Sequence, residues 1–195
     1  MRATLDRTNM DWQDDAGLFF QIISNDQKTI DYYSNVLATM ESLSEKDYRK
    51  IADYYNGIGG IYSKLGNYLK ALEYCNKALT IREEFLGSSH SDIAKCYTNI
   101  GNIYHKTGDC PKALEYHNKA LIIYEKYYGP KDLDVAHTLY DIALVYDNQS
   151  DYSNALACLD KALAIFDKTF GTEHPYTMTV KEDIKKVKQK IAAQQ

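Results

Sequence analysis

The sequence predicts an all-α fold, a solenoid in which antiparallel helix pairs stack one after another. Between residues 93 and 134, apolar residues recur every three or four positions in two stretches, which a Gly-Asp pair at 108 and 109 separates. This spacing is typical of two amphipathic helices that form a hairpin. The chain also matches itself when it is shifted by 42 residues, the distance from Gly59 to Gly101. A fixed period of this length indicates stacked structural repeats.

Composition and charge exclude several classes of protein. The 195 residues are 26% charged and 45% hydrophobic, with a formal net charge of -4, which is ordinary for a globular chain. A general nucleic-acid binder would carry a basic excess, so we expect no nucleic-acid partner. The chain has no run of about eighteen apolar residues, and its first fifteen residues lack the apolar core of a signal peptide. We therefore expect a cytoplasmic, monomeric protein that does not bind membranes.

The amino-terminal part departs from the repeat pattern. Residues 1–15 are polar and aperiodic apart from Trp12, and we expect a flexible lead-in there. Residues 16–50 keep only some of the repeated positions, since Ser24 stands where a glycine recurs later. We predict a degenerate helical hairpin over 16–50 whose first helix covers 16–23, because terminal repeats are often atypical.

Three complete repeat units follow, at 51–92, 93–134 and 135–176. In the first unit we predict helices over 52–65 and 68–85. Gly66 supplies the left-handed residue that ends the first of these helices, and Asn67 begins the second. The corresponding turns of the other two units lie at Gly108–Asp109 and Ser150–Asp151.

A capping helix is predicted at the carboxyl end of the array, over residues 177–193 of the segment 177–195. It keeps the apolar residues of a first helix on one face, but lysines replace the tyrosines and glycine of the other face. A helix with one apolar and one solvated face caps a stack of repeats. The apolar positions are Val180, Ile184, Val187 and Ile191, and the lysines are Lys181, Lys185 and Lys188.

Small residues recur where the two helices of each unit should touch, because close helix packing needs them. The predicted contact points are Gly59, Gly101 and Ala143 on the first helices, and Ala71, Ala113, Ala155, Ala78, Ala120 and Ala162 on the second helices. Tyr62, Tyr104 and Tyr146 recur with the same period, and we interpret them as packing residues rather than as a binding cage.

The repeated positions resemble the tetratricopeptide repeat family. The pattern is Gly or Ala at the eighth position, Tyr at the eleventh, Gly at the fifteenth and Ala at the twentieth and twenty-seventh. The 42-residue spacing, the run NIGNIY followed by KALEYHNKAL, and the GTEHP linker at 171–175 are similar to the kinesin light chain and nephrocystin branch. The resemblance covers residues 51–176 and implies a right-handed superhelix whose first helices line a concave groove.

The resemblance implies a non-enzymatic scaffold or adaptor that binds a peptide segment in this groove. Two alternatives stay open. The repeats can be a regulatory or targeting module of a larger multidomain protein with a catalytic domain, or a cargo adaptor like a kinesin light chain. No heptad coiled coil precedes residue 51, which gives the motor adaptor less support.

Carried over residue by residue, the groove positions of the family select four residues in the first unit, six in the second and five in the third. They are Asp53, Asn56, Gly60 and Lys64, then Lys95, Thr98, Asn99, Asn102, His105 and Lys106, then His137, Tyr140, Asp141, Leu144 and Asn148. Asparagine can donate to and accept from a peptide backbone, and lysine can pair with a carboxylate. We therefore expect a protein or peptide partner of acidic character.

A second binding mode of the family is disfavoured. Its chaperone-adaptor members hold a carboxy-terminal carboxylate in a clamp to which the third repeat contributes two cations. Here those two positions are His137 and Asp141. An anionic Asp141 would repel such a ligand.

Three glycines fall within one predicted helix, where each costs about 1 kcal/mol relative to alanine. Helix packing accounts for Gly59 alone. We expect Gly57 and Gly60 to face the groove, where the missing side chains either let a ligand backbone approach or leave the first repeat poorly ordered.

No motif for catalysis or metal binding is present. The five histidines form no HExxH pair, and no serine lies in a GxSxG run. The four cysteines show no CxxC spacing, and they fall at positions that differ between repeats: Cys75, Cys96, Cys110 and Cys158. We expect neither an enzyme nor a protein with a cofactor or metal.

Overall fold

The computed structural model describes residues 26–86 and 91–194, which form eight α-helices and no β-strand. This confirms the all-α repeat fold. None of these eight helices combines the length and apolar character that a membrane span requires. The predicted lead-in at 1–15 and helix at 16–23 lie outside the described residues. The helices are α1 Asp26–Ser42, α2 Tyr48–Lys64, α3 Tyr68–Leu86, α4 Ser91–Lys106, α5 Cys110–Tyr128, α6 Leu133–Asn148, α7 Tyr152–Phe170 and α8 Pro175–Ala192.

The chain divides into two compact units. The first unit runs up to Phe85 and contains α1, α2 and all of α3 except its last residue, whereas the second begins at Leu86 and contains α4 to α8. In the first unit α1 packs on α2, and their shared core is formed by Ile30, Val36, Leu37, Met40, Ile51, Tyr54, Ile58 and Ile61. In the second unit each helix packs on the next one in the chain, and α4 also contacts α6.

The turns within the repeats follow the predicted chemistry. Gly66 and Gly108 adopt positive φ angles of 78° and 81°. Ser150 takes the same conformation with a φ of 60°, although a side chain makes this region costly. The residue after each turn accepts a hydrogen bond from the backbone N–H three residues later, as the side chain of Asn67 does from Lys70 at 3.2 Å.

Two helices begin earlier than the sequence predicts. Helix α2 begins at Tyr48 rather than at residue 52, because the Asp47 side chain caps it by accepting from the backbone N–H of Lys50 at 3.1 Å. Helix α8 begins at Pro175 rather than at residue 177, and His174 caps it through Nδ1. Both caps lie in loops that the apolar periodicity does not mark.

All nine predicted small residues are buried, and the close contacts of Gly59 and Gly101 with the second helices are confirmed. Between α2 and α3, a Cβ built on Gly59 would lie 2.5 Å from Sγ of Cys75, so the two helices approach as closely as glycine allows. Between α4 and α5, a Cβ built on Gly101 would lie 2.8 Å from the ring of His117. The second pair of residues follows the first by 42 positions, and 42 positions further on the corresponding pair is Ala143 and Leu159.

His117 is a polar residue in the core of the second unit. Its side chain is fully buried, and neither ring nitrogen has a hydrogen-bond partner within the described part of the chain. Burial lowers the pKa of His117 to about 4, and the neighbouring His105 acts in the same direction. The imidazole is therefore neutral at pH 7.

Helix α8 has one buried and one exposed face. It buries Thr177, Val180, Ile184 and Val187, whereas Lys181, Lys185 and Lys188 are exposed. Ile191 lies near the end of the helix and is only half-buried. The apolar face packs back on α7.

Candidate functional site

Four predicted site residues lie on α2 in the first unit, and two of them are engaged in ion pairs with other helices. Asp53 pairs with Arg82 of α3, which is only 2% exposed. Lys64 lies 3.0 Å from the carboxylate of Asp26 at the start of α1. The four residues are Asp53, Asn56, Gly60 and Lys64.

The two groove glycines of α2 differ in their surroundings. A Cβ built on Gly60 would meet no atom within 4 Å, so this position is open. A Cβ built on Gly57 would lie 3.2 Å from the ring of Tyr33 on α1. The prediction that packing explains Gly59 alone is therefore wrong, because Gly57 also gives room to a neighbouring side chain. Gly57 and Tyr33 line an open cavity of about 290 Å³ beside Asp53.

The other eleven predicted residues lie on α4 and α6 of the second unit, and we call the surface that they form the inner face. The structure brings the two helices into contact. Eight of the eleven residues are half-buried, and the other three, Lys95, Lys106 and Asn148, are exposed near the helix ends. The full set is Lys95, Thr98, Asn99, Asn102, His105 and Lys106 on α4, and His137, Tyr140, Asp141, Leu144 and Asn148 on α6.

Side chains of the inner face are joined to each other and to α8. Nδ2 of Asn148 lies 2.6 Å from Nε2 of His105. Burial lowers the pKa of His105, so the ring is neutral at pH 7 and can accept this hydrogen bond. The hydroxyl of Tyr140 donates to Oδ2 of Asp183 on α8 at 2.8 Å, and burial, reinforced by that carboxylate, raises the pKa of Tyr140.

A third bridge involves two residues that the sequence reasoning missed. Nζ of Lys190 on α8 lies 2.6 Å from one carboxylate oxygen of Asp147 and 2.7 Å from the other. All three bridges join residues that are 43 positions apart. The repeat period is 42 residues, so a search at one period plus one residue would have paired them.

Asp141 carries less charge than predicted. Its carboxyl is half-buried on α6, and burial raises the pKa of Asp141 to about 7. About half of the molecules therefore carry the protonated acid in neutral solution. The prediction treated Asp141 as fully anionic and is wrong in this respect, because repulsion of a carboxylate ligand is correspondingly weaker at pH 7.

His137 belongs to an aromatic cluster at the amino-terminal end of α6. Its ring meets Phe166 at a centroid distance of 4.9 Å and Tyr176 at 5.1 Å, edge to face in both cases. Burial lowers the pKa of His137, although Asp134 opposes the shift. The side chain is thus a neutral ring at pH 7 rather than a cation.

The inner face has cations at both ends of α4. Lys95 is 53% exposed and pairs with Asp92 one turn earlier at 3.1 Å. Lys106 is exposed at the other end of the helix. No group of three or more His, Cys, Asp or Glu side chains in the described ranges is placed to hold a metal ion.

The fold and this surface define the chain as a helical-hairpin repeat protein with a polar face on its first helices. A family model described as tetratricopeptide repeat matches residues 14–84, 50–126 and 92–168. The chain belongs to the tetratricopeptide repeat family, whose members are scaffolds typical of protein–protein interaction. No curated protein sequence matches the chain significantly.

Solved structures share the fold at low sequence identity. BtubC (BKLC) from P. vanneervenii has a TM-score of 0.82 at 20% identity, over 92% of this chain and 72% of that chain. A kinesin light chain-like protein of Podospora anserina has a TM-score of 0.76 at 17% identity, over 93% and 85%. A Rap protein complexed with competence and sporulation factor has a TM-score of 0.73 at 17% identity, over 91% and 48%.

Proposed function

We propose that this protein is a non-enzymatic scaffold whose inner face in the second unit binds an extended peptide with acidic side chains. The observation that supports the proposal most directly is the inner face itself. Its middle is lined by half-buried amides and rings, whereas exposed lysines stand at both ends of α4. A structural neighbour, the Rap protein, was solved in complex with a factor, which supports ligand binding by this fold.

The spacing of the two lysines suggests what the peptide looks like. Lys95 and Lys106 are eleven residues apart on one helix, which corresponds to about 16 Å along the helix axis. An extended peptide covers this length in about five residues. A peptide that lies along α4 can therefore place one carboxylate on each lysine, with its backbone amides against Asn99 and Asn102.

Burial on the inner face limits the charge that the ligand meets. His105 and His137 are neutral at pH 7, and Asp141 is about half protonated. Lys95, which pairs with Asp92, and Lys106 are then the cations that a ligand on α4 encounters. This supports a preference for acidic over basic peptides.

Peptide display against the purified protein tests the proposal. Enriched peptides should carry two acidic residues about four to six positions apart, by the spacing given above. A doubly substituted variant, Lys95→Ala with Asn99→Ala, should bind the selected peptide about tenfold or more weakly, since it loses one charge-assisted and one neutral hydrogen bond.

A matched variant on another surface provides the control. Lys126 and Asn118 are exposed on α5, which does not contribute to the inner face. Lys126→Ala with Asn118→Ala removes the same two residue types, and the peptide should bind this variant as it binds the unaltered protein. Equal losses for the two double variants would place the ligand elsewhere or show a general effect of charge.

A further inference from the structure

Helix α8 lies beside α6 in the same register as α6 lies beside α4. The Asn148–His105 bridge joins α4 and α6 across 43 residues. The bonds from Tyr140 to Asp183 and from Lys190 to Asp147 join α6 and α8 across the same interval. The polar face of α8 therefore continues the inner face by one more helix.

The repeat period identifies which residues α8 adds to this surface. The position of Asn102 on α4 is held by Leu144 on α6 and, 42 residues later, by Lys186 on α8. The Lys186 side chain is 64% exposed. Lys181, Lys185 and Lys188 lie on the opposite, outward face and do not share this register.

The charge of Lys186 suits an anionic group. Its Nζ lies 2.8 Å from Oδ1 of Asp183, which also accepts from Tyr140 through its other oxygen. An ammonium group has three donors, so Lys186 can keep this pair and still donate to a ligand carboxylate. The ammonium of Lys186 therefore lies beside a carboxylate that also bonds to Tyr140 of α6.

We propose that α8 is a third wall of the peptide surface and that Lys186 binds a carboxylate of the peptide. This inference rests on the proposed function, because it assigns further residues to the same site. It gives α8 a second role beside the capping role that the sequence predicts. Glu182 is exposed one turn before Lys186, so the acidic residue of the peptide belongs at the carboxy-terminal half of α8.

A pair of neighbouring lysines provides a sharp test. Lys186→Ala removes the lysine that corresponds to Leu144 of the inner face, whereas Lys185→Ala removes an exposed lysine from the outward face of the same helix. The probe is a fluorescein-labelled decapeptide of alternating glutamate and alanine, measured by fluorescence anisotropy at 50 mM and 300 mM salt. Both variants lower the net charge by one unit, so a general electrostatic effect would appear equally in both.

We expect Lys186→Ala to weaken binding about fivefold at low salt, the size of effect for one partly exposed charge-assisted hydrogen bond. Lys185→Ala should stay within twofold, and Lys186→Arg should retain most of the affinity because it keeps the charge. Equal affinities of the Lys186→Ala and Lys185→Ala variants would overturn the role of α8 and leave the proposed function intact. If the unaltered protein fails to bind the probe at millimolar concentration, the proposed function falls and this inference with it.

Discussion

Replacing Gly101 with alanine should destabilise the second unit, because the new Cβ would lie 2.8 Å from Cε1 of His117 and 2.9 Å from both ring nitrogens. Favourable contacts between such atoms are about 3.5 Å or longer, and the ring is fully buried. Overpacking of a core costs about 1–3 kcal/mol. Because alanine is about 1 kcal/mol better than glycine within a helix, we expect a net loss of up to about 2 kcal/mol.

Replacing His117 with leucine should have the opposite effect. The substitution removes two buried nitrogens that lack hydrogen-bond partners among the described residues, and each such group costs about 1–3 kcal/mol. We expect His117→Leu to stabilise the protein by about 2 kcal/mol or more at pH 7. The third repeat supplies a natural precedent, since Ala143 and Leu159 occupy the two corresponding positions and are both buried.

The double variant distinguishes this contact from two independent effects. A leucine can take another rotamer beside the new methyl group at position 101, so Gly101→Ala should cost little or even stabilise when His117→Leu is also present. Urea unfolding followed by circular dichroism measures the four proteins, and amide hydrogen exchange locates the change on α4 and α5. A coupling energy of about 1 kcal/mol or more is expected for residues in contact. Strictly additive effects would refute the idea that the His117 ring is what requires glycine at 101.

The pH dependence of His117 gives a second measurement on the same variants. The pKa of His117 is about 4 in the folded protein, against 6.5 as the ordinary value. As the pH falls below 6.5, the unfolded chain takes up a proton that the folded protein refuses, so this residue removes stability. Between pH 7 and pH 5 the loss should amount to about 2 kcal/mol. The His117→Leu variant should lack this part of the acid sensitivity.

Three further substitutions test other features. Thr177→Val should stabilise the protein by about 1 kcal/mol in thermal unfolding, because the buried hydroxyl of Thr177 lacks a partner among the described residues and Val135 fills the same position one repeat earlier; a lower midpoint would contradict this. Gly60→Ala should stabilise the protein by about 0.5–1 kcal/mol, since the new methyl group meets no atom within 4 Å. A loss of peptide affinity without a loss of stability would show that a ligand approaches this position. Asp141→Asn should raise the urea midpoint more at pH 8 than at pH 4. The folded-state pKa of Asp141, about 7, lies above the ordinary 3.8, so the buried charge costs stability only when the pH rises through these values. Equal shifts at both pH values would contradict the burial of a charge.

The turns within the repeats and the packing positions followed from the sequence because local chemistry determines them. Gly66 and Gly108 reverse the chain between the two helices of a repeat because glycine readily adopts a positive φ angle. The small residues at the helix contacts recur with the period of the repeat, so the period alone marks them. The starts of α2 and α8 were missed because Asp47 and His174 each act through a single side-chain cap, which no periodic pattern shows.

The candidate site was predicted less completely, for two physical reasons. The period aligns equivalent residues, such as Asn99 and Asp141, whereas contacts across the inner face join residues 43 positions apart, as in the Tyr140–Asp183 bond. The charge state of Asp141 depends on how much solvent its neighbours exclude, and a sequence pattern does not contain that information. That Gly57 gives room to the Tyr33 ring depends likewise on how α1 packs on α2, which the sequence pattern does not show.

One position of the repeat, which we call the column, is held by four residues of different chemical type. Gly60, Asn102, Leu144 and Lys186 follow each other at intervals of 42 residues, and none of them is a small-residue contact of the core. Mutation at this column can exchange a bare backbone, an amide, an apolar group or a cation without repacking the interior. Duplication of such a unit followed by drift at a single site is thus a low-cost evolutionary route to new recognition, and laboratory selection confined to this column should give binders that still fold.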